Sequence, residues 1–423
     1  MRNETLEPDF SHASPTFVPK SRVQRNFLKA ASRYEICNYK TLNWILSRSP
    51  LIEGFLNTKV NSITGISYTN YSGTRGPKFI YGWIQGRGLE ALVTFAEYYK
   101  DKNYFFSKKI LKRAETLYYS LKKLYFRDEH IFFLYDQDLK AIRNSNKVIN
   151  FQTNEKGIFT YSDAFAAKGL FAASRVFEPS NSKFFKQYIF DVINAVENNF
   201  FQMDETVAIS LKTIKKQPND FAPRMILLGA AGMFHINSCS NLTSFADKFI
   251  EDILDNFYCK DKQILLNIPN HLICNIGHAI EFCGFALEHY MMTTNKKNLE
   301  KIETILINSL KLGLKKQGIP LFISSETGKA TSPYFPWWTL PESIRACAIG
   351  THLGMNTEIF QLWKKIDKTF FSNFWQANKF YAYQTINIDG PVDYVPATPD
   401  LDPGYHTGIS LLKATQVIKN YLT

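Results

Sequence analysis

Apolar residues recur at helical spacing along nearly the whole chain, in about twelve segments with approximate limits of 20–47, 87–101, 103–124, 161–178, 182–200, 221–237, 242–258, 277–293, 297–313, 340–353, 356–372 and 405–421. The segments alternate in character. The second, fourth, sixth, eighth, tenth and twelfth are rich in Gly, Ala and apolar residues nearly all round, whereas the others carry lysines and glutamates. Helices apolar on every side are buried, and amphipathic ones surround them. The pattern therefore predicts an all-α fold, an (α/α)6 toroid or barrel of twelve helices, six inside six. Short β-hairpin pieces such as "HIFFLYD" and "KFYAYQTI" complete it. Residues 1–40 read as an N-terminal arm and the start of the first helix, and residues 41–423 as a single domain.

The inner set begins at "GWIQGRG", "YSDAFAAKG", "FAPRMILLG", "NIGHAIEFCG", "WWTLPESIRA" and "GYHTGIS". These recur at intervals of roughly 55 to 80 residues, the period of a repeated helical hairpin. In such a ring the inner helices run the same way, so all six motifs converge on one mouth. Arg87, between Gly86 and Gly88, is then expected to begin an inner helix and point into a shared cavity. The eighth and twelfth helices are expected to lie across that mouth from each other.

With 423 residues, 45% of them hydrophobic and 21% charged, the chain has ample material for a large core. It contains no apolar run of membrane-spanning length and no signal-peptide pattern at its N-terminus, so a soluble, cytoplasmic protein without a membrane partner is expected. Six cysteines without CxxC spacing give little support to a metal knuckle or a disulfide framework. The net charge of +12 comes from dispersed lysine pairs rather than a basic stripe, so no nucleic-acid partner is expected. Phosphate-loop, dinucleotide-binding and HExxH motifs are absent as well.

Two of the eight histidines, His278 and His406, open inner helices. With ordinary pKa values near 6.5, both suit acid or base work at neutral pH. Glu281 follows His278 by three residues and shares its helix face, where it can orient the imidazole or bind a hydroxyl. Arg87 offers a forked cationic donor for an oxyanion. Trp83, Trp337, Trp338 and Tyr405 line the same expected mouth and suit stacking on a sugar face, with Gln85 and Glu342 as further substrate-binding candidates. Asp163 reads as a helix-capping residue. Two histidines, an arginine and a glutamate without a metal cluster suit proton transfer next to a carbonyl through an enediolate. A glycoside hydrolase would instead use two opposed carboxylates, for which Asp163 and Glu342 are the candidates.

"YGWIQGRGLEALVTFAEYY", "NIGHAIEFCGFAL", "WWTLPE" and "GYHTG", in this order, resemble the N-acylglucosamine 2-epimerase family of (α/α)6 barrels, over roughly residues 40 to 421. The resemblance implies that Arg87, His278, Glu281 and His406 are active-site residues, the two histidines forming the proton-transferring pair. It matches Trp338 and Glu342 to the family's tryptophan-tryptophan-glutamate motif and Trp83 to the position before its arginine. It implies a metal-free 2-epimerase acting at C2 of an open-chain sugar of the N-acylglucosamine type, with no cofactor required. Aldose–ketose isomerisation of a mannose-like sugar and a non-catalytic binding role are the alternatives. Homodimerisation and ATP activation follow the family only, since no phosphate-loop motif supports the nucleotide. Ile226 stands where the disaccharide-epimerase and isomerase branches carry a histidine, Ile276 replaces a proline, and "HTGIS" lacks the family's basic residue.

Overall fold

The computed structural model describes residues 21–145, 148–236 and 242–422; the arm before residue 21 lies outside them. Six inner helices, α2 (Gly82–Tyr99), α4 (Tyr161–Phe177), α7 (Ala222–Ile236), α9 (Ile276–Met292), α11 (Thr339–His352) and α13 (Ser410–Leu422), alternate with six outer ones. The outer helices are α1 (Arg22–Ser47), α3 (Tyr104–Asp128), α5 (Ser182–Glu197), α8 (Ser244–Asn256), α10 (Leu299–Gly313) and α12 (Glu358–Asn373), and α6 (Leu211–Ile214) is a single turn between α5 and α7. Each inner helix packs on the next, α2 on α4, α4 on α7, α7 on α9, α9 on α11 and α11 on α13. A π-helical turn, Tyr405–Ile409, precedes α13 and closes the ring onto α2. Outer helices α3, α5, α8, α10 and α12 each cover the inner helix before them, and α1 covers α13. The (α/α)6 toroid expected from the alternation is thus the observed architecture. The 40/41 division falls inside α1.

Composition explains the layering. Inner helices α2, α4, α9 and α11 are buried on nearly every side, whereas α8 and α12 bury one stripe, including Phe249 and Ile253 in α8 and Trp363 and Phe370 in α12. One continuous core lies between the two rings. At the crossing of α2 and α4 the backbones touch: a Cβ on Gly86 would sit 2.7 Å from Ala166 N, and one on Gly169 2.4 Å from Gly86 O. Gly86 therefore serves close packing beside Arg87.

The strands are short. β1 (Ile80–Tyr81), β2 (Leu134–Tyr135), β3 (Ala141–Ser145) and β4 (Val148–Phe151) make an antiparallel sheet in that order, leading directly into α2. "HIFFLYD" contains β2, and "KFYAYQTI" contains Tyr381–Ala382 and the start of Thr385–Asn387. The five described cysteines are unpaired. Among the described residues no helix is long and apolar enough to cross a membrane.

Two expectations are corrected. Helix α2 begins at Gly82, so Arg87 lies in its second turn rather than at its start. Periodicity missed this because "GWIQG" is glycine-rich and too short to show an apolar face, while its first N–H, that of Gly82, is taken up by Phe133 O at 2.9 Å. Helices α9 and α13 also do not face each other across the mouth. The ring follows chain order, so both flank α11.

Candidate active site at the mouth of the inner ring

A cavity of about 200 Å³ opens where the six inner helices begin. Its lining gathers Trp83 and Arg87 from α2, Tyr161 from α4, Ile226 from α7, His278 and Glu281 from α9, Trp338 just before α11 and His406 from the π-helical turn before α13. A loop that sequence patterning did not single out, Val395–Pro403, supplies the remaining wall. The buried pair Lys59 Nζ–Asp400 Oδ1, 2.9 Å, and the Leu401 N–H donating to Thr58 O at 3.1 Å pin that loop to the segment after α1.

Arg87 is held by rings rather than by carboxylates. Its guanidinium carbon lies 3.9 Å from the Phe165 centroid, 5.1 Å from Trp83 and 5.5 Å from Tyr405. No carboxylate pairs with it among the described residues, its Nε is without a hydrogen-bond partner, and burial holds its pKa below the ordinary value. Donors left unmatched in this way are available to a substrate oxygen. Trp83 is fixed by Glu205, whose Oε1 accepts the indole N–H at 2.5 Å and the Ser162 N–H at 3.2 Å. Burial pushes that carboxyl up to about 7.

His406 is positioned from both sides. Gly404 at φ +87° turns the chain, and the Asp402 carboxylate accepts the backbone N–H groups of Tyr405, His406 and Thr407 at 2.9, 3.2 and 2.9 Å. The His406 Nδ1 lies 3.0 Å from Glu342 Oε1. Despite burial, Arg345 at 2.6 Å, His406 and the Ser410 hydroxyl keep Glu342 below its usual pKa and therefore ionised. An ionised carboxylate only accepts, so Nδ1 carries the hydrogen and Nε2 is the bare nitrogen of the neutral ring. Burial and then Arg87 hold the imidazole below its ordinary pKa, against the pull of Glu342.

His278 has a different partner, Asn267 Nδ2 at 2.9 Å from its Nδ1, and burial, with His406 nearby, lowers its pKa to about 4. Trp338 stands between the imidazoles, its centroid 5.5 Å from His278 and 5.8 Å from His406. Glu281 has no hydrogen-bond partner among the described residues, and burial, then Glu342, pushes its carboxyl up to about 8. Glu281, Glu342 and His406 offer ligand atoms within 4.8 Å of one another, a spacing compatible with a cation, but Arg345 already neutralises Glu342 there.

Trp83, Trp337, Trp338, Arg87, His278, Glu281 and His406 thus meet at one cavity. Three other candidates stand elsewhere. Gln85 is fully buried and clamps the backbone N–H and C=O of Leu56 at 2.7 and 3.1 Å. Tyr405 lies below the cavity, its hydroxyl 2.5 Å from the buried Lys168 ammonium, which also pairs with Glu90 at 3.2 Å. Glu342 stands behind His406. Asp163 caps α4 and is fully enclosed, accepting from Thr160 N, Ile131 N and Tyr188 Oη, so it faces no carboxylate across the cavity. Sequence reasoning missed Asn267, Glu205, Arg345 and Asp402. Only Asp402 had a local signal, an acid before Pro-Gly at a helix start.

No family profile and no curated protein sequence matches the chain. Solved structures do. The cellobiose 2-epimerase from Bacillus thermoamylovorans B4167 superposes with a TM-score of 0.71 at 14% identity, covering 92% of this chain and 99% of that one. The cellobiose 2-epimerase from Spirochaeta thermophila DSM 6192 gives 0.70 at 13% identity over 95% and 100%. A D-mannose isomerase gives 0.68 at 14% identity over 91% and 97%. At these identities the likeness establishes the shared fold.

Proposed function

We propose that this protein is a carbohydrate epimerase or isomerase that removes the C2 proton of an open-chain aldose. The observation that carries this reading is the His406–Glu342 contact, which leaves a bare, carboxylate-supported Nε2 at the wall of a cavity that also holds Arg87 and His278. His406 takes the C2 proton, Glu342 stabilises the imidazolium that results, and the charge developing on the carbonyl oxygen meets Arg87 and His278. Trp83 and Trp338 pack against the sugar. The activities for which the structural neighbours are named, epimerisation and isomerisation of sugars, agree with this chemistry. No metal enters the scheme, because Arg345 and Arg87 supply the positive charge.

Within this chemistry, the motifs favour 2-epimerisation of an N-acylglucosamine-type sugar. One contact in the site, between Asn267 and His278, favours aldose–ketose isomerisation of a sugar with a free C2 hydroxyl instead. The test is proton NMR in D2O with N-acetylglucosamine, N-acetylmannosamine, mannose, glucose and cellobiose, with and without ATP, beside His406→Asn. Deuterium entering C1 or C2 with dependence on His406 supports the reading. A folded protein that binds one of these sugars without any exchange overturns it in favour of a binding role.

A further inference from the structure

Asn267 precedes α9 and makes two hydrogen bonds that together leave its amide one orientation. Its Oδ1 accepts the backbone N–H of Asn275 at 2.8 Å, and a backbone N–H cannot exchange roles. Its Nδ2 is therefore the group facing His278 Nδ1 at 2.9 Å. The same side chain acts on the buried Asp220 carboxyl, holding its pKa down against the rise that burial imposes. An NH2 group has only donors to offer, so His278 Nδ1 must be the acceptor, and the ring's single hydrogen sits on Nε2. The neighbouring imidazole has the opposite arrangement, because Glu342 accepts from His406 Nδ1.

We propose that Asn267 is a positioning residue that locks His278 as a neutral Nε2–H donor, so that His406 alone moves the carbon-bound proton and the enzyme converts an aldose with a free C2 hydroxyl into the ketose. The proposal rests on the enediolate reading above and chooses between its two products. To act as the second acid across C2, His278 would have to hold protons on both ring nitrogens, and Nδ1–H would then point at the Asn267 amide hydrogens. A neutral imidazole can still polarise a carbonyl by donating a hydrogen bond. The burial that keeps His278 neutral at ordinary pH acts in the same sense.

The steps balance. His406 Nε2 takes the hydrogen from C2, the C2–H electrons form the C1–C2 double bond, and the carbonyl electrons move to O1 beside His278 Nε2–H and Arg87. The imidazolium of His406 returns its proton to C1 on the same face, the C2–O2 bond becomes the carbonyl, and the O2 hydroxyl proton passes to O1. The enzyme ends in its starting protonation state, with no external oxidant or reductant.

The test reverses the polarity of the Asn267–Asp220 pair. In the double variant Asn267→Asp/Asp220→Asn, the 267 side chain still accepts from Asn275 N, the pair keeps its net charge, and His278 Nδ1 now faces an acceptor. With mannose and glucose in D2O, the wild type is expected to yield ketose with the epimeric aldose at least about tenfold less abundant, and the double variant to shift that ratio toward the epimer by about tenfold. Independently, 15N-histidine NMR of the wild-type protein, with His278→Asn for assignment, is expected to show the Nε2–H form at neutral pH. Epimer as the main wild-type product, or an Nδ1–H signal at His278, overturns the proposal. Absence of exchange on every sugar would instead remove the enediolate reading, while the 15N spectrum still decides the role of Asn267, including where the double variant fails to fold.

Discussion

His406 Nδ1 lies 3.0 Å from Glu342 Oε1, and the carboxylate is itself held by Arg345 at 2.6 Å and the Ser410 hydroxyl at 2.9 Å. This chain of contacts places the His406 hydrogen on Nδ1 and leaves Nε2 bare. It also ties the π-helical turn before α13 to α11, so the imidazole and its carboxylate partner come from different elements.

Glu342→Gln keeps an acceptor for the His406 hydrogen but removes the charge that stabilises the imidazolium. The expected result is a fall in kcat of about 10²-fold with KM within about threefold. Steady-state kinetics on whichever sugar exchanges, with circular dichroism as a folding control, checks it. A variant of unchanged kcat would place Glu342 outside the proton transfer.

Glu281 is expected to act as a neutral carboxyl, since burial and Glu342 push it up to about 8 from an ordinary value of 4.5. The folded pKa is raised, so the neutral form is favoured in the folded state, and stability from this group is lost as pH rises between those two values. Activity that needs the neutral form falls above about pH 8. Glu281→Gln imitates that form, and its pH–rate profile should lose the upper limb while retaining most of kcat at pH 7. A wild-type profile flat from pH 7 to roughly 9.5 would contradict this.

Gly86→Ala tests the packing of α2 against α4. In an open helix the exchange gains up to about 1 kcal/mol. Here the new Cβ meets Ala166 N at 2.7 Å, backbone that has no rotamer to yield. Destabilisation of about 1–3 kcal/mol is expected in urea unfolding. A more stable variant would show that the crossing can relax.

Lys59→Met strands the Asp400 carboxylate, fully enclosed at the end of the Val395–Pro403 wall and already without a partner on Oδ2. Losing one member of such a buried pair costs about 3–5 kcal/mol. The double variant Lys59→Met/Asp400→Leu should recover much of it. Equal stability for single and double variants would indicate that solvent reaches Asp400 readily.

Much of this protein is decided locally. The alternation of all-round apolar and one-sided segments specifies twelve helices in two layers, because burial on every side and burial on one stripe have only one nested solution. The positions of His278, Glu281 and His406 near inner-helix starts likewise bring them to one mouth. Other features depend on residues distant in sequence. Gln85 reads as a site residue from its neighbours, yet the Leu56 backbone claims its amide. The ring nitrogen that carries the hydrogen on each histidine is set by Asn267, eleven residues before His278, and by Glu342, sixty-four before His406. Sequence periodicity reports which face of a helix leaves water. It carries no information on which donor meets which acceptor inside the ring, and that pairing, available only once the toroid closes, sets where the hydrogens of the two imidazoles sit.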